Sequence, residues 1–205
     1  MKKIKFIGLD MDHTLIRYNT ESFESLVYKI VIDKLIQEKN YPEAIKKFKF
    51  HFNHAIRGLI IDSKNGNILK LSRFAAIRES YHGNHLIDFN EQKKFYGSTY
   101  VDLKDPNYMA IDTSFSIAFC VLYSQLIDYK DKFTNDLPSY SKIAIDVLGA
   151  VDMAHSDGSL KSQIAKDLKK YVRIDKKIVK GLQRYIDQGK KLFILTNSDY
   201  HYTKL

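Results

Sequence analysis

Cysteine occurs once in the 205 residues, as Cys120, so no disulfide can form within the chain and a reducing compartment is the natural setting. No stretch approaches the roughly 20 uncharged apolar residues that a membrane span needs, so no membrane role is expected. The opening from Met1 to Leu9 is basic and then apolar, but it is too short for a secretory leader and runs into carboxylates. A cytoplasmic protein is the expectation. Proline- or glycine-rich linkers, internal repeats and low-complexity tracts are also missing, so the length fits one domain or a domain carrying a large insert. With 44% hydrophobic residues the chain can bury a sizeable core, which excludes disorder.

What is abundant is positive charge. Thirty-three Lys and Arg against 24 Asp and Glu give a formal charge of +9. Such a balance could attract nucleic acid, an acidic surface or a small phosphorylated substrate. The lysines are scattered through helical segments and form no compact stripe, so no nucleic-acid partner is expected.

Ile4 to Leu9 is a short apolar run ending in polar residues, as for a strand buried on both faces of a parallel sheet. Ser22 to Gln37 follows with a 3.6-residue apolar period, an amphipathic helix. Gly58–Asp62 and Asn67–Leu71 flank Ser63-Lys64-Asn65-Gly66, whose Asn-Gly step signals a hairpin expected to stay close to the first strand. From Phe74 to about Arg173 the pattern is mostly helical, with Ser114–Tyr129 and Ser141–His155 as its clearest helices. Lys176–Gln188 is amphipathic, Gly189 stops it, and Lys191–Leu195 reads as a second buried strand, half of a parallel α/β repeat.

Ligands bind at the carboxyl edge of an open parallel sheet, where Asp10 and Asp12 follow the first strand. Two converging carboxylates divide phosphoryl transfer between them. Asp10 as nucleophile would attack phosphorus, while Asp12 gives a proton to the leaving oxygen and later takes one from water. Adjacent anions repel a phosphate dianion, so a hard cation is called for, and Mg²⁺ fits. After the second strand, Leu195-Thr196-Asn197-Ser198 offers a hydroxyl and backbone N–H groups to phosphate oxygens, placing Thr196 and Asn197 as phosphate-binding. Read alone, the first loop could be an Asp-rich helix cap and the second an ordinary polar turn.

Together, Asp10-Met11-Asp12-His13-Thr14 and Leu195-Thr196-Asn197-Ser198 resemble motifs I and II of the haloacid dehalogenase superfamily. More narrowly, the chain is similar to the cytosolic purine 5′-nucleotidases specific for IMP and GMP, in their bacterial form. The similarity runs through Tyr41-Pro42, Arg57-Gly58-Leu59, Gly66–Lys70, Asp112–Phe115, Val151–His155, Gly158–Lys161 and Thr196–Tyr200. It implies an α/β fold: a Rossmann-like core with an inserted, mostly helical cap. Residues 1–74 would begin the core with motif I and the hairpin, 75–175 would form the cap, and 176–205 would return to the core with motif II.

The same resemblance implies that Asp10 and the Asp12 main-chain carbonyl bind Mg²⁺ and that Phe115 stacks on the purine. It also puts Asp152, His155, Lys161 and Ser198 around the nucleoside of a purine nucleoside monophosphate. Without it, Phe115 and His155 would pass for packing residues.

The chain departs from the family pattern in two places. Leu148 stands where the family carries an Arg, and Leu cannot hydrogen-bond a purine carbonyl. The superfamily's motif III Lys and motif IV acidic cluster lie downstream of motif II, yet only Lys204 and no carboxylate follow Tyr200. The expectation is therefore the N-terminal part of a longer enzyme. The alternative is a catalytically incomplete remnant that binds nucleotide or a partner chain. A homo-oligomer and a complementing C-terminal chain are both left open as partners.

Overall fold

A computed structural model describes residues 3–97, 99–113 and 116–205. The first half runs β1 (Phe6–Leu9), β2 (Arg17–Tyr18), α1 (Thr20–Lys39), β3 (Leu59–Asp62), β4 (Asn67–Leu71), β5 (Ile77–His82), β6 (His85–Leu86) and α2 (Phe89–Tyr96). The second half runs β7 (Tyr108–Ala110), α3 (Ile117–Lys132), α4 (Tyr140–Ser156), α5 (Ser159–Lys166), α6 (Leu168–Tyr171), β8 (Val172–Arg173), α7 (Lys176–Asp187), β9 (Lys191–Ile194) and α8 (Tyr200–Thr203). The fold is mixed α/β. The chain divides into a terminal unit, residues up to Phe23 with Gly158–Leu205, and a central unit, Glu24–Asp157. The division falls after residues 23 and 157, whereas the sequence put the changes at 74 and 175.

In the terminal unit β1 pairs parallel with β9, Phe6 opposite Lys191 through Leu9 opposite Ile194. The expected helix-to-strand unit is there. Ile178, Gly181, Leu182 and Tyr185 form the half-buried stripe of α7, a spacing of three and four residues. Its end is built as the sequence suggested: Gly189 takes φ +73° and donates to the Ile186 carbonyl, while Lys190 N–H reaches the Tyr185 carbonyl. That pair of bonds is the Schellman arrangement, which only a residue at ease with positive φ closes without strain. β2 and β8 pair antiparallel, Tyr18 opposite Val172.

The two strands are not buried on both faces as the apolar runs suggested. Phe6, Phe193, Ile194 and Leu195 are 48% to 68% exposed. Among the described residues β1 and β9 form a sheet of only two strands, so each has an unpaired edge.

The central unit holds an antiparallel sheet in the order β6-β5-β4-β3-β7. The hairpin expected at Asn65-Gly66 joins β3 to β4, with Asp62 opposite Asn67 and Gly66 at φ +74°. It pairs within this sheet, which does not include β1. The stretch after Phe74 also begins as sheet, since β5, β6 and β7 precede α3, so the expectation of a mostly helical segment fails there. Ile77-Arg-Glu-Ser-Tyr-His carries too few apolar residues for a period of two to stand out, and sheet pairing overrides the weak local pattern.

Ile61, Leu69, Leu122, Leu126, Ile127, Ile143 and Val147 are completely buried in this unit. α3 is buried without a break from Ile117 to Ser124, as a helix apolar on all sides must be, and it packs on α4. Val27, Tyr28, Val31 and Leu35 form the buried stripe of α1. Asp62 is buried too, and its carboxylate accepts from Tyr96 Oη at 2.6 Å and Asn65 Nδ2 at 2.8 Å, which offsets desolvation. Among the described residues no helix is long and apolar enough to cross a membrane.

Candidate active site

The parallel register delivers two loops to one sheet edge. Leu9 and Ile194 end their strands side by side, and Leu195 N–H donates to the Leu9 carbonyl at 2.9 Å. Asp10 follows on one strand and Thr196 on the other. The first loop then turns tightly, with Leu15 and Ile16 N–H both donating to the Met11 carbonyl at 3.0 and 2.9 Å. Met11 is buried beneath that turn, and His13 sits at its crest with φ +59°. The side chains on either side of Met11 therefore face outward, leaving Asp10 exposed and Asp12 half-buried.

Asp12 ties the loops together. Its Oδ2 accepts from Ser198 Oγ at 3.3 Å, and its Oδ1 accepts from Tyr18 Oη at 2.5 Å. In the second loop Ser198 N–H donates to Thr196 Oγ1 at 3.1 Å, which sets the Thr196 hydroxyl within the turn. Asn197 is exposed beside it. Lys161, on α5, reaches Asp199 at 2.5 Å, and Asp199 caps α8 by accepting from Tyr202 N–H at 2.8 Å. The ammonium of Lys161 beside Asp199 holds that carboxyl below the usual carboxylate range.

Asp10, Asp12, Thr196, Asn197, Ser198 and Lys161 thus all belong to the terminal unit. Sequence reasoning missed Tyr18 and Tyr202. Burial, with the Asp12 carboxylate beside it, raises the Tyr18 hydroxyl far above the ordinary phenol range, so it remains a donor at any working pH. The antiparallel pairing of β2 with β8 is what turns Tyr18 back toward Asp12, and a two-residue strand leaves no readable period.

Among the described residues no three His, Cys, Asp or Glu side chains converge on a metal-sized site. Both carboxylate oxygens of Asp12 already hold donors. The oxygens left for a hard cation are the exposed Asp10 carboxylate and main-chain carbonyls of the loop. This donor set fits Mg²⁺, which takes few protein ligands and completes its shell with water and phosphate oxygens.

Asp152 and His155 lie in the central unit, four and seven residues beyond Leu148 on one face of α4. All three line a pocket of about 380 Å³ with Met109, Phe119 and Val151 as apolar wall and Asp112, Thr113 and Ser116 as polar rim. No lysine or arginine is among these lining residues. The pocket can accept hydrogen bonds from N–H or O–H groups and pack a flat ring. Phe115, expected to stack on a base, lies outside the described residues.

A model of the 5′ nucleotidase family matches residues 1–205. Over 207 residues the chain is 30% identical to a 5′-nucleotidase domain-containing protein of Dictyostelium discoideum, an overlap of 98% of this chain and 34% of that protein. It is 26% identical over 215 residues to 5′-nucleotidase domain-containing protein 2 of Homo sapiens, covering 98% of this chain and 41% of the relative. The counterpart from Rattus norvegicus gives 26% identity, 98% and 38%. The chain spans about a third to two-fifths of the length of these relatives.

Proposed function

Because the chain belongs to the 5′ nucleotidase family, we propose that it carries the nucleophile half of an Mg²⁺-dependent hydrolase of purine 5′-mononucleotides, IMP and GMP. The supporting observation is the parallel β1–β9 register, which brings Asp10, Asp12, Thr196 and Ser198 to one edge. In this reading the terminal unit is part of a haloacid dehalogenase-type core of the bacterial purine nucleotidase kind. The central unit is its cap, with Phe115, Asp152 and His155 serving the base and ribose. A reducing, cytoplasmic setting suits Cys120 as a buried free thiol.

Asp10 attacks phosphorus in line, forming an aspartyl-phosphate as the ester P–O bond breaks. Asp12 supplies the proton that the leaving nucleoside oxygen needs, then removes one from the water that cleaves the acyl phosphate. The Thr196 hydroxyl, oriented by the Ser198 N–H, and the backbone N–H of Asn197 stabilise charge on the transferring group. Lys161 and Ser198 serve the nucleoside part of the substrate. Asp10 and the Asp12 main-chain carbonyl would hold Mg²⁺, which offsets the repulsion between substrate and carboxylates.

Release of phosphate from IMP and GMP in the presence of Mg²⁺, lost in Asp10→Asn, is the expected result; undiminished release by that variant would sink the mechanism. One observation favours a second reading, a nucleotide or partner-chain binder without turnover: no third acidic group joins Asp10 and Asp12 among the described residues. Equilibrium binding of IMP with no phosphate release, in the chain alone and with the remainder of a relative added, would establish that reading instead.

A further inference from the structure

Tyr18 has one hydroxyl proton, and the acceptor at 2.5 Å is Asp12 Oδ1. The second hydroxyl in reach, Tyr202 Oη at 3.2 Å, must then donate to Tyr18. The order is fixed: Tyr202 O–H to Tyr18, Tyr18 O–H to Asp12. Tyr18 is held to that task by burial, at 6% exposure, and by ring contacts to His13 at 5.3 Å and Phe23 at 5.1 Å. The opposite carboxylate oxygen has a different partner. Among the described residues Oδ2 meets the longer 3.3 Å bond from Ser198, a hydroxyl that can rotate to accept. One oxygen is pinned and one is exchangeable.

We propose that Tyr18 is a positioning residue that reserves Oδ1 of Asp12, so that Oδ2 is the oxygen that gives a proton to the leaving group and later takes one from water. The inference rests on the reading of Asp12 as the acid and base. In the first step the Oδ2–H bond breaks and the proton passes to the ester oxygen while Asp10 bonds to phosphorus and the alcohol departs. In the second step water loses a proton to Oδ2 and its oxygen bonds to phosphorus, restoring the Asp10 carboxylate and releasing phosphate. Tyr18 keeps its proton throughout. Its contribution is to stop the carboxyl group from rotating and to hold Oδ2 toward the Ser198 side, where the two loops meet.

The decisive variant is Tyr18→Phe, which keeps the ring contacts and removes the hydroxyl. In single-turnover mixing with IMP, release of nucleoside falls about tenfold with little change in substrate affinity, the scale of one hydrogen bond to a charged group. In the same single-turnover mixing, the first release of p-nitrophenolate from p-nitrophenyl phosphate is unchanged, because that leaving group departs without a proton and before the water step. Equal loss on both substrates, or no loss on either, overturns the assignment while leaving Asp10 as nucleophile. Unimpaired nucleoside release by Asp10→Asn overturns the underlying reading instead. A second readout needs no turnover: proton NMR of the chain shows a strongly downfield hydroxyl resonance that vanishes in Tyr18→Phe and moves upfield in Asp12→Asn. Absence of that resonance, or its indifference to Asp12→Asn, also overturns the proposal.

Discussion

Glu24 and Ala118 lie 94 residues apart, yet the Glu24 carboxylate caps α3 from within the core, its Oε2 accepting from Ala118 N–H at 2.6 Å. The carboxyl is buried completely, and its Oε1 has no hydrogen-bond partner among the described residues. Desolvation outweighs the favourable N–H groups of Ile117 and Ala118, so the group is pushed up to about 8.

A raised carboxyl makes the folded state hold a proton that the unfolded chain, near ~4.3, has already released. Stability from this group is complete below the unfolded value, falls as pH rises through that window, and is lost above about 8. Glu24→Gln should abolish this slope. Unfolding free energies from urea titrations at pH 5 and pH 8.5 are expected to differ more for the native sequence than for the variant, by on the order of a few kcal/mol. Parallel pH dependence in the two proteins would contradict the assignment.

Leu148 puts an apolar side chain into the α4 pocket beside Asp152 and His155. With no Lys or Arg in its lining, this pocket leaves a base carbonyl to the hydroxyls of Thr113 and Ser116 and the His155 ring. Leu148→Arg should therefore sharpen the preference of kcat/KM for IMP and GMP over AMP by about tenfold or more. An unchanged ratio would mean that the pocket does not receive the base.

Cys120 is 1% exposed within the run of buried residues on α3, and burial pushes its thiol up to about 12. The native protein should not react with an aromatic disulfide reagent at neutral pH, and the thiol should titrate only along the denaturant unfolding curve. Rapid labelling of the folded chain would contradict this packing.

Much of the scaffold was legible because local signals agreed with tertiary pairing. The 3.6-residue stripes of α1 and α7, the Gly189 stop and the Asn65-Gly66 turn all formed where the sequence put them. The sheet around β5 was hidden because its alternation is weak and its partners are distant in sequence. Burial of β1 and β9 was misread for another reason. Apolar runs report a tendency to be covered, and the covering depends on neighbouring strands that the pair lacks among the described residues. In the candidate site Asp10 and Asp12 stood out because a strand precedes them and the Leu195–Ser198 loop follows a second strand, the two read together. Tyr18 did not, since only the β2–β8 pairing carries it back six residues to Asp12.

The most direct test of the account is to find where phosphorus goes. IMP and Mg²⁺ are mixed with the protein, the reaction is quenched in acid within one turnover, and the digested chain is mapped by mass spectrometry. A phosphoryl group on Asp10, absent from Asp10→Asn, is the predicted result. A phosphoryl group on any other side chain, or turnover with no covalent species, would contradict it.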